Sequence, residues 1–375
     1  MERSSERIRV AVVGCGLVAQ VMHLPYLREL SDRYDLRAVC DISPRALAQA
    51  GALFPEARRH SSWEDVLAEE LDAVLVLTPG SHAPLAIAAA ESGRHVFVEK
   101  PMCLNPDEGR DMIAAAAAAG VVLMVGYMKR YDPAYEELAE VLNPGKLRFA
   151  RITTLESPLE PYVAHYSLSR GAPDVDPALL AELAADDRER VVAALPDEDD
   201  LCRRTYRAVL LDSMIHELNA VRHLLGEPTE LHFARIAPGA ASVVASLAFG
   251  AVECAAMWID LPGIARYEQE WAFYGADARA SLCFPSPFLR SEPTQLVLEG
   301  GEPGTPAAWR TVKTVSFEEA FKRELVEFHA SVTEGRAPRT DGEDGLRDVL
   351  LCRAIVRAHA HGRAVAAPTA VGAAA

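Results

Sequence analysis

Residues 8–19 read Ile-Arg-Val-Ala-Val-Val-Gly-Cys-Gly-Leu-Val-Ala, and the reading of this stretch decides the fold. The β-branched run 8–13 predicts a buried strand. It ends in Gly14-x-Gly16-x-x-Ala19, with Leu17 and Val18 opening an amphipathic helix. Gly14 permits a tight turn, Gly16 lets the backbone approach a pyrophosphate, and Ala19 allows the helix to pack closely on the strand. The helix amino terminus then faces the negative charge. A second strand, 36–40, ends in Asp41, 25 residues after Gly16. That offset suits a carboxylate holding ribose hydroxyls. The competing reading of Asp41, a helix cap before Pro44, leaves the glycine turn without its acid.

The alternation continues outward. Helices are expected over 46–53, 81–92 and 105–119, and strands over 72–77, 95–98 and 121–125. Strands alternating with helices imply a doubly wound parallel sheet with right-handed crossovers. The loops after Val13, Leu77 and Val98 then open on one edge, so Gly14, Thr78 and Lys100 share a crevice. Thr78, Pro79 and His82 are candidate cofactor contacts, although a turn and helix start explains them structurally. Lys100, between Glu99 and Pro101, stands where open α/β sheets place ligands. The proline biases its backbone toward an extended form.

A chain of 375 residues suggests two domains, here 1–130 and 131–375. A net charge of −16 leaves no basic surplus for nucleic acid. The first seven residues lack the apolar core of a secretory signal, and 114–125 is too short to span a bilayer. Seven scattered cysteines without CxxC spacing fit a reduced, cytoplasmic setting, and no metal-ligand spacing is present.

After Pro133 the pattern changes. A helix over 134–142 leads into a strand at 147–154, followed by strands at 230–236, 242–249, 252–259, 268–274, 278–283 and 295–298. Short turns between them imply a largely antiparallel sheet. Helices are expected over 317–334 and 344–361, and a disordered tail over 366–375. Residues 157–205 form a long excursion with a helix at 178–194, read as a lid that shapes substrate choice. In 209–226, apolar residues at 211, 214, 215, 218, 221 and 225 trace a buried helix stripe, with Asp212 and His216 beside it. His223 falls in roughly the same direction. A carboxylate beneath a histidine orients the imidazole and raises its basicity, as a general base requires. Arg130 and Tyr131 are candidate substrate contacts, with Tyr162, His165 and Tyr166 behind them.

Gly14-Cys-Gly-Leu-Val-Ala19 with His23-Leu-Pro25, then Thr78-Pro79 and His82, Glu99-Lys100-Pro101, and Asp212-x-x-x-His216 resemble the Gfo/Idh/MocA oxidoreductases. The resemblance implies an N-terminal Rossmann domain and a C-terminal α/β domain on a large open sheet that builds homodimers or homotetramers. It makes Lys100 a contact to the reacting hydroxyl at the nicotinamide site, His216 the acid/base, and Asp212 a partner to substrate or histidine. Glu99 joins Gly14, Gly16, Leu17, Val18, Asp41, Thr78, Pro79, His82 and Lys100 as a cofactor-binding residue. NAD is favoured over NADP, because Asp41 repels a 2′-phosphate; Arg45 nearby argues the other way. The implied reaction moves a hydride between a secondary alcohol of a sugar, cyclitol or polyol and the nicotinamide. Alternatives are a ketoreductase on a biosynthetic sugar intermediate, an NAD-assisted glycoside cleavage, and a non-catalytic dinucleotide sensor. The chain departs from the family pattern after the histidine, where Glu217-Leu-Asn219 replaces Asp-x-Asp.

Overall fold

The computed structural model describes residues 7–302, 304–362 and 365–366. The chain divides into two compact units. One comprises Met1–Met128, Tyr166–Ala194 and Phe321–Leu346, and the other Lys129–His165, Leu195–Ala320 and Arg347–Ala375.

The first unit is built on six strands, β1 (Ile8–Val13), β2 (Tyr34–Cys40), β3 (Arg58–His60), β4 (Ala73–Val76), β5 (His95–Glu99) and β6 (Leu123–Gly126). They pair in parallel in the order 3-2-1-4-5-6. Such a sheet is covered on both faces, so its strands read as continuous apolar runs. Accordingly Val10, Ala11, Val12, Val74, Leu75, Val96, Phe97 and Val98 are completely buried. The order reverses between β1 and β4, which opens a crevice at the strands' carboxyl ends. Four of the expected strands lie as read, apart from a residue or two at their ends; the sixth begins two residues late. The unforeseen β3 is short and largely exposed, so it carries no apolar signature.

The glycine turn feeds a helix whose first turns, Ala19–His23, are π-helical before α-helix resumes at Leu24–Glu29. Pro25 is the reason. It has no N–H to give and would clash with the carbonyl four residues back in a regular helix, and the wider turn relieves this. The helix Pro106–Ala119 starts with a capping box, Asn105 reciprocated by Glu108, and stops at left-handed Gly120.

The second unit holds a nine-stranded sheet. Its strands are β7 (Leu147–Glu156), β8 (Glu230–Ile236), β9 (Ser242–Phe249), β10 (Val252–Asp260), β11 (Glu268–Gly275), β12 (Ala278–Phe284), β13 (Gln295–Gly301), β14 (Ala308–Thr314) and β15 (Val365–Ala366). The order is 14-13-12-11-7-10-9-8-15, antiparallel except for the central pair β7 and β10. Register places Ala150, Ile152, Thr154, Cys254, Ala256, Trp258, Trp271, Phe273 and Leu282 on one face, and all are buried. The other face carries Phe149, Phe233 and Val312 exposed among charged residues. The antiparallel reading holds; β14, exposed along its whole length, escaped it. Residues 367–375 of the expected disordered tail, and the first six residues, lie outside the described residues.

Candidate active site

In the first unit the turn after β1 is forced on glycine. Gly14 has φ +97, and a Cβ there would lie 2.6 Å from the carbonyl carbon of Leu77 and the nitrogen of Thr78. The turn is therefore pressed against the end of β4. At Gly16 the same test meets nothing within 4 Å, so its backbone faces open space. Asp41, at the end of β2, accepts the Cys15 N–H at 2.7 Å and the Ser43 N–H at 2.8 Å. Its carboxylate is held beside the glycine turn. Thr78 and Pro79 follow β4, and the loop is tied by the His82 Nε2 contact to the Thr78 carbonyl at 2.7 Å. These residues fit a dinucleotide: exposed backbone at Gly16 for a pyrophosphate, and an oriented carboxylate for a ribose.

Lys100 directly follows β5, half-buried, and its backbone N–H meets Glu99 Oε2 at 3.1 Å. The Lys100–Pro101 bond is cis. Glu99 turns inward: its other oxygen meets His23 Nε2 at 2.6 Å, with His23 packed edge-on against Phe97 and Phe321. Glu324 completes this buried group. A His23 nitrogen and oxygens of Glu99 and Glu324 lie within 4.8 Å of one another. Burial opposes ionisation of Glu99, but the hydrogen bond and charge of His23, with help from Lys100, outweigh it and hold the group below its usual range. Glu324 has both oxygens buried without a hydrogen-bond partner, and burial together with the Glu99 charge pushes its carboxyl well up. No spacing in the sequence joins His23, Glu99 and Glu324.

In the second unit, His216 lies on the helix Ile215–Leu225, which continues from a π-helical stretch, Tyr206–Met214. Asp212 belongs to that wider stretch, so the Asp212/His216 pair spans a change of helical period rather than one regular α-turn. Such π-segments are frequent at functional sites. Asp212 is exposed and His216 half-buried. Beside them, Ser213 Oγ donates to Glu156 Oε2 at 3.3 Å and accepts Trp258 Nε1 at 3.1 Å. Burial pushes the Glu156 carboxyl up against those bonds. Glu156, at the end of β7, is thus a further titratable group next to the helix, and the alternating strand pattern gave no hint of it.

The inward side of this helix is a polar tie. Glu217 accepts from Thr154 Oγ1 at 2.5 Å and from Gln269. Asn219 receives Arg130 Nη1 at 3.1 Å and donates to Asp348 at 2.7 Å, while Arg222 reaches Asp348 at 2.5 Å. Glu217 and Asn219 are therefore buried and bonded inside the unit. Arg130 and Tyr131 lie in the turn Met128–Tyr131, with Arg130 5% exposed and Tyr131 fully buried. His223 meets the Tyr135 hydroxyl at 2.7 Å. Tyr162 accepts the Tyr267 N–H at 2.5 Å.

Residues 8–127 match the model of an oxidoreductase family with an NAD-binding Rossmann fold, GFO_IDH_MocA. The nucleotide-binding sheet of this chain is therefore similar to that of the Gfo/Idh/MocA oxidoreductases. The chain is 37% identical over 142 residues to inositol 2-dehydrogenase 3 of Saccharopolyspora erythraea, spanning 37% of its own length and only 41% of that relative. To the myo-inositol 2-dehydrogenase of Thermotoga maritima it is 23% identical over 359 residues, 92% of this chain and 94% of that one. A levoglucosan dehydrogenase solved with NADH and levoglucosan superposes with a TM-score of 0.75, covering 97% of this chain and 100% of that one at 18% identity. The last likeness establishes the two-sheet fold. Among the described residues, no helix is long and apolar enough to cross a membrane.

Proposed function

We propose that the protein is an NAD-dependent dehydrogenase acting on a secondary alcohol of a sugar, cyclitol or related polyol. The observation that carries this reading is the strand-end arrangement of the first unit. Gly14 and Gly16, the tethered Asp41 and Lys100 all stand at the carboxyl ends of β1, β2 and β5. Bound NAD supplies an acceptor for the hydride that leaves the carbinol carbon. The chain must then do two things: stabilise the developing charge on the alcohol oxygen and remove its proton. Lys100 has the cationic nitrogen for the first task. His216 has the imidazole for the second, with Asp212 as its orienting or substrate-binding neighbour. Thr78, Pro79 and His82 shape the cofactor loop, and Glu99 fixes the backbone that aims Lys100. Arg130 and Tyr131 support the substrate side from the interior. The same residues serve the reverse reduction of a ketone. A homo-oligomer covering the exposed face at Phe149, Phe233 and Val312 completes the reading, and light scattering on the purified protein measures it.

The test is turnover of NAD with a panel of polyols and sugars. Lys100→Ala and His216→Ala proteins are expected to lose about 10²–10⁴-fold in kcat while still binding NADH. Full activity in both variants would remove the assigned roles.

A further inference from the structure

The donors beside Asp41 are already occupied by an acid from a distant part of the chain. Ser43 caps the helix Pro44–Leu53, and its hydroxyl donates to Asp174 at 2.9 and 3.0 Å. The Arg45 N–H, in the first turn of the same helix, donates to Asp174 Oδ2 at 2.8 Å. A hydroxyl and a backbone amide at a helix amino terminus form a ready anion site. The Arg45 N–H, with the Ser43 hydroxyl, holds the Asp174 carboxyl below its usual range, so it is ionised at neutral pH.

Asp174 is anchored by its own segment. The Ser169 N–H bonds Gln20 Oε1 at 2.9 Å and Gln49 Oε1 at 2.7 Å, and Gln20 Nε2 bridges the Ser169 and Cys15 carbonyls at 3.0 and 2.7 Å. Farther along, Arg190 pairs with Glu108, whose carboxylate also accepts from Ser81 at 3.2 Å. The segment Tyr166–Ala194 thus rests on the loops that follow β1, β2 and β4 within the first unit.

We propose that Asp174 is a cofactor-specificity residue that fills the anion site next to the ribose and thereby selects NAD against NADP. This rests on the dinucleotide reading above. If Asp41 holds the ribose 2′-hydroxyl, a phosphate added there extends toward the donors nearest Asp41, and those are the ones Asp174 takes. The 2′-phosphate meets two carboxylates in place of a hydroxyl and an amide, and like charges at such range repel. Arg45, which by itself argues for NADP, then stands beside an acid that already uses its backbone.

Equilibrium titration of the full chain with NADH and NADPH, followed by protein fluorescence, tests this. Wild type should prefer NADH. Asp174→Asn and Asp174→Ala should gain about tenfold or more in NADPH affinity, with NADH changed by less than about threefold, and the gain should shrink as salt is raised. Asp176→Asn, an exposed acid on the same loop, should leave both affinities unmoved. NADPH affinity unchanged in both Asp174 variants while NADH still binds overturns the assignment, as does an equal gain in Asp176→Asn or a wild type that prefers NADPH. Binding of neither cofactor overturns the dinucleotide reading itself, and the assignment with it.

Discussion

Gly14 and Gly16 look equivalent in the motif but differ in what constrains them. Gly14 needs a positive φ and has Leu77 and Thr78 against it, so Gly14→Ala should destabilise the first unit by roughly 1–3 kcal/mol, read as a lower melting temperature. Gly16→Ala meets no atom of the protein and should melt as wild type. It should still bind NADH about tenfold more weakly, near 1.4 kcal/mol, because the methyl fills the approach to the pyrophosphate. A Gly16→Ala protein with unchanged NADH affinity would contradict the site. Glu324 invites a different experiment. Its folded carboxyl titrates above the ordinary 4.5, so the folded state binds more protons than the unfolded chain above that value. The stability it confers is complete below 4.5 and is lost as pH rises through the raised folded value. Glu324→Gln, which stays neutral, should therefore gain melting temperature over wild type progressively with rising pH. A deficit at every pH would mean that the carboxylate itself is required.

At the scale of elements, the helix Ile215–Leu225 has two sides of different character. One side presents Asp212, from the preceding turn, and His216. The other is buried through Glu217, Asn219 and Arg222. Asp348 is fully buried and is bonded by Arg222 and Asn219. Arg222→Ala should cost about 3–5 kcal/mol, since it strands a buried carboxylate. Chemical denaturation of the variant measures this, and a loss below about 1 kcal/mol would show the pair to be screened. The sequence made this helix visible because its apolar stripe repeats with the helical period. It did not reveal the change of period at Tyr206–Met214, nor that Glu217 and Asn219 point inward, because polar residues inside a unit leave no hydropathy signal. For the same reason exposed strands such as Arg58–His60 and Ala308–Thr314 went unread, while the apolar runs of β1, β4 and β5 were legible nearly to the residue.

For the whole molecule, the two fold types were readable from alternating and consecutive strands, and the family resemblance from five short motifs in order. Long-range recruitment was not. Tyr166–Ala194 and Phe321–Leu346 both join the first unit from beyond the run Met1–Met128, bringing Asp174 to Ser43 and Glu324 to Glu99. Such pairings join residues more than a hundred positions apart, which no local pattern encodes. The surroundings of Ser43 and of Glu99 thus depend on more of the chain than its motifs. The claim at the centre of the account is hydride exchange between a polyol carbon and nicotinamide. Incubating the protein with NAD and a polyol carrying deuterium at its secondary carbinol positions, then analysing the nicotinamide by mass spectrometry, tests it most directly. The expected result is deuterium in the reduced cofactor, lost in the Lys100→Ala and His216→Ala proteins. NADH bound tightly by the wild type, with no label transferred from any member of a broad sugar and cyclitol panel, would contradict it.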